Sequence, residues 1–132
     1  MSTNATGSFE FTSWEEQPYA EFEGGRKLTK AGVTQAFTGD IDGDGAVEWL
    51  MCYREDGTAN WCGFERIDGR IGDRTGTFVL QMSGTFDGGE AKGDWFVVPG
   101  SATGDLQGLR GSGGMEAPHG PKASFTLDYD FE

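Results

Sequence analysis

The sequence predicts an all-β domain, an eight-stranded antiparallel barrel that is closed or nearly closed. Of the 132 residues, 23 are glycine, only 4 are proline, and 13% are aromatic, a balance typical of short strands joined by tight turns. No segment of ten or more residues has a helical period, whereas apolar and polar residues alternate in many places. The first and last predicted strands lie near the two chain ends, so they can pair and remove the exposed sheet edges.

Eight segments have strand-like patterns. In the first, Phe9 and Phe11 alternate with polar residues, and a loop rich in Glu and Gly is expected over residues 15–27. The seventh is the weakest because glycines interrupt it, while in the eighth Phe125, Leu127 and Tyr129 alternate with polar residues. The predicted strands span residues 8–14, 28–39, 46–55, 58–68, 76–86, 90–98, 106–111 and 122–131.

Glycine pairs mark the expected hairpin turns. Asp56-Gly57 is a strong two-residue turn signal between two alternating runs, and Gly88-Gly89 is another. Asp42-Gly43 and Asp44-Gly45 are alternatives for a third turn. The register of the hairpin between residues 68 and 76 stays open, because three glycines allow several loops. No linker is visible, so residues 1–132 are interpreted as one β-barrel domain.

The charge and the chain ends narrow the function classes. With 22 acidic and 10 basic residues, the formal net charge is -12, which argues against binding nucleic acid or an anionic membrane surface. The N-terminus has no signal-peptide pattern and no apolar run approaches the roughly 18 residues of a membrane span. We therefore expect a cytoplasmic protein, in which Cys52 and Cys62 are reduced and buried rather than disulfide-bonded.

One pair of carboxylates follows from the hairpin register. If Asp56-Gly57 is a two-residue loop, Glu48 lies directly opposite Glu65, with Cβ atoms about 5 Å apart. Inside the barrel, repulsion would keep one carboxyl protonated near neutral pH, and the pair could then act in general acid–base catalysis. On the outside, the side chains would separate in water and no function would follow. Because Trp49 and Phe64 share the other face, which resembles a core, the outside placement is favoured.

The Gly88-Gly89 turn predicts a second pairing. Met82 then faces Trp95 and Leu80 faces Val97 on a core-like face. Trp95 is either a packed core residue or one wall of a ligand site in the barrel interior. Trp61 and Gln81 are two further candidate ligand-binding residues.

Metal and cofactor sites are not predicted. The run from Asp40 to Gly45 has the Asp-x-Asp-x-Asp-Gly opening of a calcium loop, but Met51 occupies the twelfth position, where a glutamate is needed. His119, the one histidine, lies in a turn-rich stretch without cysteines at zinc spacing. It either anchors a loop or contributes to a ligand site at the barrel mouth.

A resemblance to known families covers essentially the whole chain. The stretch from Val97 to Gly111 contains a Gly-x-x-x-Gly-x-Leu-x-Gly-Leu-x-Gly pattern similar to one that allene oxide cyclases and dirigent proteins carry before their final strands. More specifically, the chain resembles an uncharacterised bacterial family of unknown function that has the same kind of barrel. The stretches that carry this second resemblance are Thr12-Ser13-Trp14, Gly63-Phe64-Glu65-Arg66, Phe78-Val79-Leu80-Gln81, Gly84-Thr85-Phe86 and Ala117-Pro118-His119-Gly120-Pro121-Lys122.

The resemblance implies a lipocalin-like barrel, often oligomeric, whose interior binds an apolar molecule. Three hypotheses follow: an isomerase or cyclase that uses Glu48 and Glu65 for proton transfer, a non-catalytic carrier, or a structural barrel filled by its own side chains. The resemblance to the bacterial family also implies a self-cleaving aspartic-type peptidase as a weaker alternative, although the chain has no Asp-Thr-Gly motif. The expected partners are a small hydrophobic molecule and further copies of the chain.

Overall fold

The computed structural model describes residues 2–118 and 122–132 and contains eight antiparallel strands. Short 3₁₀ turns occupy Glu23–Gly25 and Gly104–Leu106. Within the described residues, no helix is long and apolar enough to cross a membrane. The strands are β1 (Thr3–Glu21), β2 (Lys27–Gly39), β3 (Ile41–Tyr53), β4 (Ala59–Ile71), β5 (Arg74–Phe86), β6 (Ala91–Val97), β7 (Leu109–Ala117) and β8 (Lys122–Phe131).

The strands close into a barrel, as the sequence predicts. Each strand pairs with the next one along the chain, and β8 pairs with β1. In this closing seam, Ala5 lies opposite Leu127 and Phe9 lies opposite Ala123. All four of these residues are buried. The seam is therefore held by core packing as well as by the backbone ladder.

β1 is longer than predicted, and the expected loop over residues 15–27 is wrong. Residues 3–10 pair with β8, whereas residues 7–21 pair with β2 across two register shifts, between Phe11 and Ser13 and between Pro18 and Ala20. Most side chains in the second half of the strand are exposed. Because hydrogen bonds to β2 rather than side-chain burial form this half, its sequence lacks the apolar alternation of a strand.

The glycines between residues 42 and 45 lie inside β3 rather than in a turn, so the prediction of a third turn there is wrong. β2 and β3 are instead joined at Asp40, whose carboxylate accepts the Thr6 backbone N–H at 2.9 Å. A Cβ atom on Gly43 would collide with the Asp68 carbonyl oxygen, and one on Gly45 would collide with the Glu65 side chain. Glycine at these positions marks close approach within the sheet.

The core fills the barrel with alternating residues from every strand. Phe9, Phe37, Phe78, Leu80 and Leu127 are among the large side chains that are fully buried. Cys52 and Cys62 are free thiols, but both are exposed.

Candidate ligand-binding site

The β3–β4 hairpin has a three-residue loop instead of the predicted two-residue loop. The Gly57 N–H donates to the Arg54 carbonyl at 3.1 Å, and the Arg54 N–H donates to the Thr58 carbonyl at 2.8 Å. Gly57 has a φ of +86°. This is the arrangement of a tight turn followed by a glycine bulge, and it shifts the register of the two strands by one residue.

This shift separates the two glutamates that the sequence pairs, so the predicted Glu48–Glu65 dyad is wrong. Glu65 lies opposite Val47 and points into the barrel, whereas Glu48 lies opposite Phe64 and points outward. On the outer surface, the Glu48 carboxylate forms an exposed ion pair with Lys30 at 3.1 Å. The same shift places Cys62 outside the barrel, which explains why it is not buried as predicted.

Glu65 is a single buried carboxyl group. Glu65 is 1% exposed, and burial raises the pKa of its carboxyl group to about 8. The group is therefore mostly protonated at neutral pH, because the interior does not solvate its charged form. Its Oε2 atom has no hydrogen-bond partner within the described part of the chain.

Gln35 accompanies Glu65 in the interior. This residue is also 1% exposed, and neither its Nε2 nor its Oε1 atom has a partner among the described residues. Gln35 lies opposite Gly45 in the β2–β3 ladder, and the Glu65 Oε2 occupies the space where a Gly45 side chain would begin. The two polar side chains thus converge on Gly45, which lies opposite Gln35 and against the Glu65 carboxyl group.

An aromatic cavity of about 260 Å³ opens at one end of the barrel. It lies at the ends of β3, β5 and β7 and the start of β6, beside the second half of β1. We call this cavity the aromatic cup. Its aromatic walls are Phe11, Trp14, Trp49, Tyr53, Trp61 and Phe86, with Met51 and Met115 between them.

Glycines hold the two central indoles in place. The Trp61 ring lies against Gly84 and Gly93, where any Cβ atom would overlap it, and Trp49 lies over Gly63 in the same way. The centroids of these two indoles are 5.4 Å apart, and the Trp49 and Trp14 centroids are 5.5 Å apart. The Trp49 Nε1 donates to the Met82 sulfur at 3.1 Å. Trp49 thus forms the floor of the cup, and Met82 lies behind its indole, outside the lining of the cup.

A hydrogen-bond network ties the second half of β1 to the rim of the cup. Glu16 accepts hydrogen bonds from the Thr29 and Tyr53 hydroxyls, each at 2.7 Å, and from the Trp14 indole at 3.1 Å. Partial burial raises the pKa of Glu16, but these bonds and nearby Lys27 outweigh it, so the pKa lies below its ordinary value. Burial and the Glu16 carboxylate together raise the pKa of Tyr53.

The remaining candidates are divided between the interior and the exterior. The predicted facing of Met82 and Trp95 is confirmed, and Trp95 is buried, with its Nε1 donating to the Thr126 carbonyl at 3.0 Å. Gln81 points outward and lines a surface groove beside Phe96, so it does not line the aromatic cup. Strand alternation puts Gln81 on the face opposite to Leu80 and Met82. His119 lies outside the described residues.

Sequence reasoning missed Gln35, Glu16 and Trp14. A signal was present for Gln35, because it interrupts an inward-facing apolar series in β2 that includes Val33 and Phe37. None was present for Glu16, whose partner Tyr53 comes from a distant part of the sequence. Within the described chain, no three His, Cys, Asp or Glu side chains come together as a metal site would require.

Comparison with known proteins identifies the family. The family model described as "Protein of unknown function (DUF3224)" matches residues 5–129. A crystal structure of a protein of unknown function from this family, from Shewanella oneidensis MR-1, superposes with a TM-score of 0.81 at 27% sequence identity, covering 100% of this chain and 98% of that one. A search of curated proteins gives no match. Since the family model spans nearly all of the barrel, the chain belongs to the DUF3224 family.

Proposed function

We propose that this protein binds a small apolar ring compound in the aromatic cup. The observation that carries the proposal is the open cavity of about 260 Å³ with indole and phenyl walls. This volume lies just below the roughly 300–1,000 Å³ typical of sites for drug-sized ligands. The walls stand on paired strands and are packed against glycines, so little ordering is needed when a ligand enters.

The chemistry of the cup favours binding over acid–base catalysis. Two carboxylates acting together would need Glu48 and Glu65 on one face, and the register places them on opposite faces. Burial alone raises the pKa of Glu65, so no second titratable group among the described residues is coupled to it. A carrier is therefore the function that the site supports best. The isomerase or cyclase and the self-cleaving peptidase stay predictions, as do the likeness to allene oxide cyclases, the homo-oligomer and the cytoplasmic location.

A fluorescence titration with N-phenyl-1-naphthylamine tests this proposal, because this neutral probe brightens in apolar sites. We expect saturable binding with one site per chain. Trp14→Ala should weaken binding by about tenfold, because the loss of an aromatic contact in a pocket reduces the binding free energy by on the order of 1–2 kcal/mol. Trp14 is 44% exposed, so its truncation should leave the fold intact.

Phe64→Ala is the matched control. Phe64 is 56% exposed on the outer surface and does not line the cup, so its loss should leave the probe affinity unchanged. If Phe64→Ala weakens binding and Trp14→Ala does not, the probe binds the exterior and the proposal is wrong. Absence of saturable binding to the wild type would also contradict it.

A further inference from the structure

The interior contains polar groups that the fold does not satisfy. Three residues with polar side chains are buried in the described chain, namely Thr29, Gln35 and Glu65. Thr29 donates a hydrogen bond to Glu16 at 2.7 Å, whereas three atoms of Gln35 and Glu65 have no partner among the described residues. A buried polar atom without a partner destabilises a fold by about 1–3 kcal/mol. An apolar residue at either position would avoid this cost.

The two side chains offer a defined set of hydrogen-bonding groups. Gln35 has two N–H donors and one carbonyl acceptor. Glu65 is mostly protonated at neutral pH and supplies one O–H donor besides an acceptor oxygen. Among the described residues, Glu65 is the only buried one with an ionisable side chain. No buried Lys or Arg is therefore available there to neutralise an anion. The site therefore suits a neutral group that accepts hydrogen bonds.

We propose that Gln35 and Glu65 form a second subsite, beneath the floor of the aromatic cup, that binds a neutral carbonyl or hydroxyl group of the ligand. This inference rests on the proposed function, because the apolar body of the same ligand occupies the cup. The ligand class is thus a small ring compound with one uncharged polar head.

The route between the cup and this subsite passes Trp49 and Met82. Glu65 is two residues beyond Gly63 on β4, and Gly63 lies beneath the Trp49 ring, a separation of about 7 Å along a strand. Met82, which lies opposite Gly63 on β5, packs behind the Trp49 indole. Methionine has three rotatable side-chain bonds, and the proposal requires Met82 to change rotamer so that the polar head of the ligand can pass.

A matched pair of probes tests the subsite. 2-Butylnaphthalene and 4-(2-naphthyl)butan-2-one share one two-ring body and a four-carbon chain, and they differ by a carbonyl group that the chain carries beyond the rings. Each can be titrated as a competitor of N-phenyl-1-naphthylamine. The selectivity for the carbonyl probe should fall about tenfold in Gln35→Leu and in Glu65→Leu. The affinity for 2-butylnaphthalene should not change, and Glu65→Gln, which keeps a donor and an acceptor, should retain most of the selectivity.

Infrared spectroscopy of the wild type gives a reading that does not depend on how the variants fold. The carbonyl band of bound 4-(2-naphthyl)butan-2-one should lie at lower wavenumber than in hexane, where no donor is present. A band at the hexane position, or equal selectivity in the wild type and both leucine variants, would overturn the subsite while leaving the cup in place. If neither probe binds the wild type, the proposed function and the subsite both fail.

Discussion

Glu65 differs from the other carboxylates because it is buried without a partner. Acidic residues number 22, and among the described ones Glu65 alone is classed as buried. Glu16 is partly buried, but three donors stabilise its charge and lower its pKa. No donor among the described residues reaches the Glu65 Oε2, and burial raises the pKa of this group to about 8. The depth of burial and the donors within reach therefore both set which carboxyl group ionises.

The stability of the fold should fall as the pH rises from about 4.5 to about 8. Over this range the folded state keeps the Glu65 proton that the unfolded chain releases, so unfolding is favoured by higher pH. The shift corresponds to at most about 5 kcal/mol of unfolding free energy. Urea unfolding at several pH values should show this slope in the wild type and a much smaller one in Glu65→Gln.

Glu48→Gln is the control for this experiment, because Glu48 is exposed and paired with Lys30. Its slope between pH 5 and 8 should match that of the wild type. A wild-type stability that is flat or rising over this range, with no difference from Glu65→Gln, would show that Glu65 is ionised in the folded protein.

At the scale of the element, β1 is divided into two halves with different partners. Residues 3–10 pair with β8, and residues 7–21 pair with β2. In the described structure, residues 11–21 have no second neighbouring strand. Trp14 belongs to this half and forms part of the cup. The Glu16 bonds to Thr29 and Tyr53 therefore fix one wall of the cup as well as a sheet edge.

Glu16→Ala should loosen the second half of β1 without unfolding the barrel. The variant loses hydrogen bonds that contribute on the order of 1 kcal/mol each, so amide exchange over residues 11–21 should quicken by roughly tenfold. Hydrogen–deuterium exchange read by mass spectrometry measures this. Glu48→Ala, which removes an exposed ion pair, should leave exchange there unchanged. Equal rates in Glu16→Ala and the wild type would mean that the network does not hold the strand.

The sequence predicts the β3–β4 hairpin but not its register. A two-residue loop and a three-residue loop can both contain Asp56-Gly57, since glycine favours a positive φ in each. The side-chain alternation could have decided between them. In β4, Trp61 and Ile67 share one parity with Glu65, while Asn60, Arg66 and Arg70 share the other. Exposed Phe64 and buried Glu65 reverse the expected polarity and hide this pattern.

The barrel itself is predictable because most inward positions are apolar. Alternation in β8 identifies the residues of this strand that are buried. The glycine turn between β5 and β6 leads directly to the observed pairing of Met82 with Trp95. The cup is less predictable, because Trp14 reaches it through a strand half that lacks apolar alternation. Gln35 lies opposite Gly45 and the Glu65 carboxyl group lies against the same glycine. Strand pairing reveals this relation, whereas the order of residues in the sequence does not.

At the scale of the whole molecule, the negative charge opposes folding. The formal net charge of -12 is confined to a barrel of 132 residues, and the four ion pairs found in the described structure are on its surface. Like charges at the surface repel one another over distances comparable to the Debye length, about 10 Å at 0.1 M salt. Compaction brings them closer than they are in the unfolded chain.

The melting temperature should therefore rise with sodium chloride from about 20 to about 300 mM, because salt screens this repulsion. Differential scanning calorimetry at pH 7 measures the change. Neutralising the exposed residues Glu15, Glu21 and Glu23 to glutamine should reduce the dependence on salt. A melting temperature that falls with salt would show that attractive ion pairs outweigh the net repulsion.

The divided pairing of β1 also separates two kinds of opening. When residues 11–21 detach, the ladder to β2 and the Glu16 bond to Tyr53 on β3 break, while the ladder between residues 3–10 and β8 stays intact. The cup loses the wall that contains Trp14, but the barrel keeps its circumference. Under the proposed function, a ligand would leave through this opening at a free-energy cost far below that of global unfolding, so the rate of ligand release and the lifetime of the fold would be set by different parts of β1.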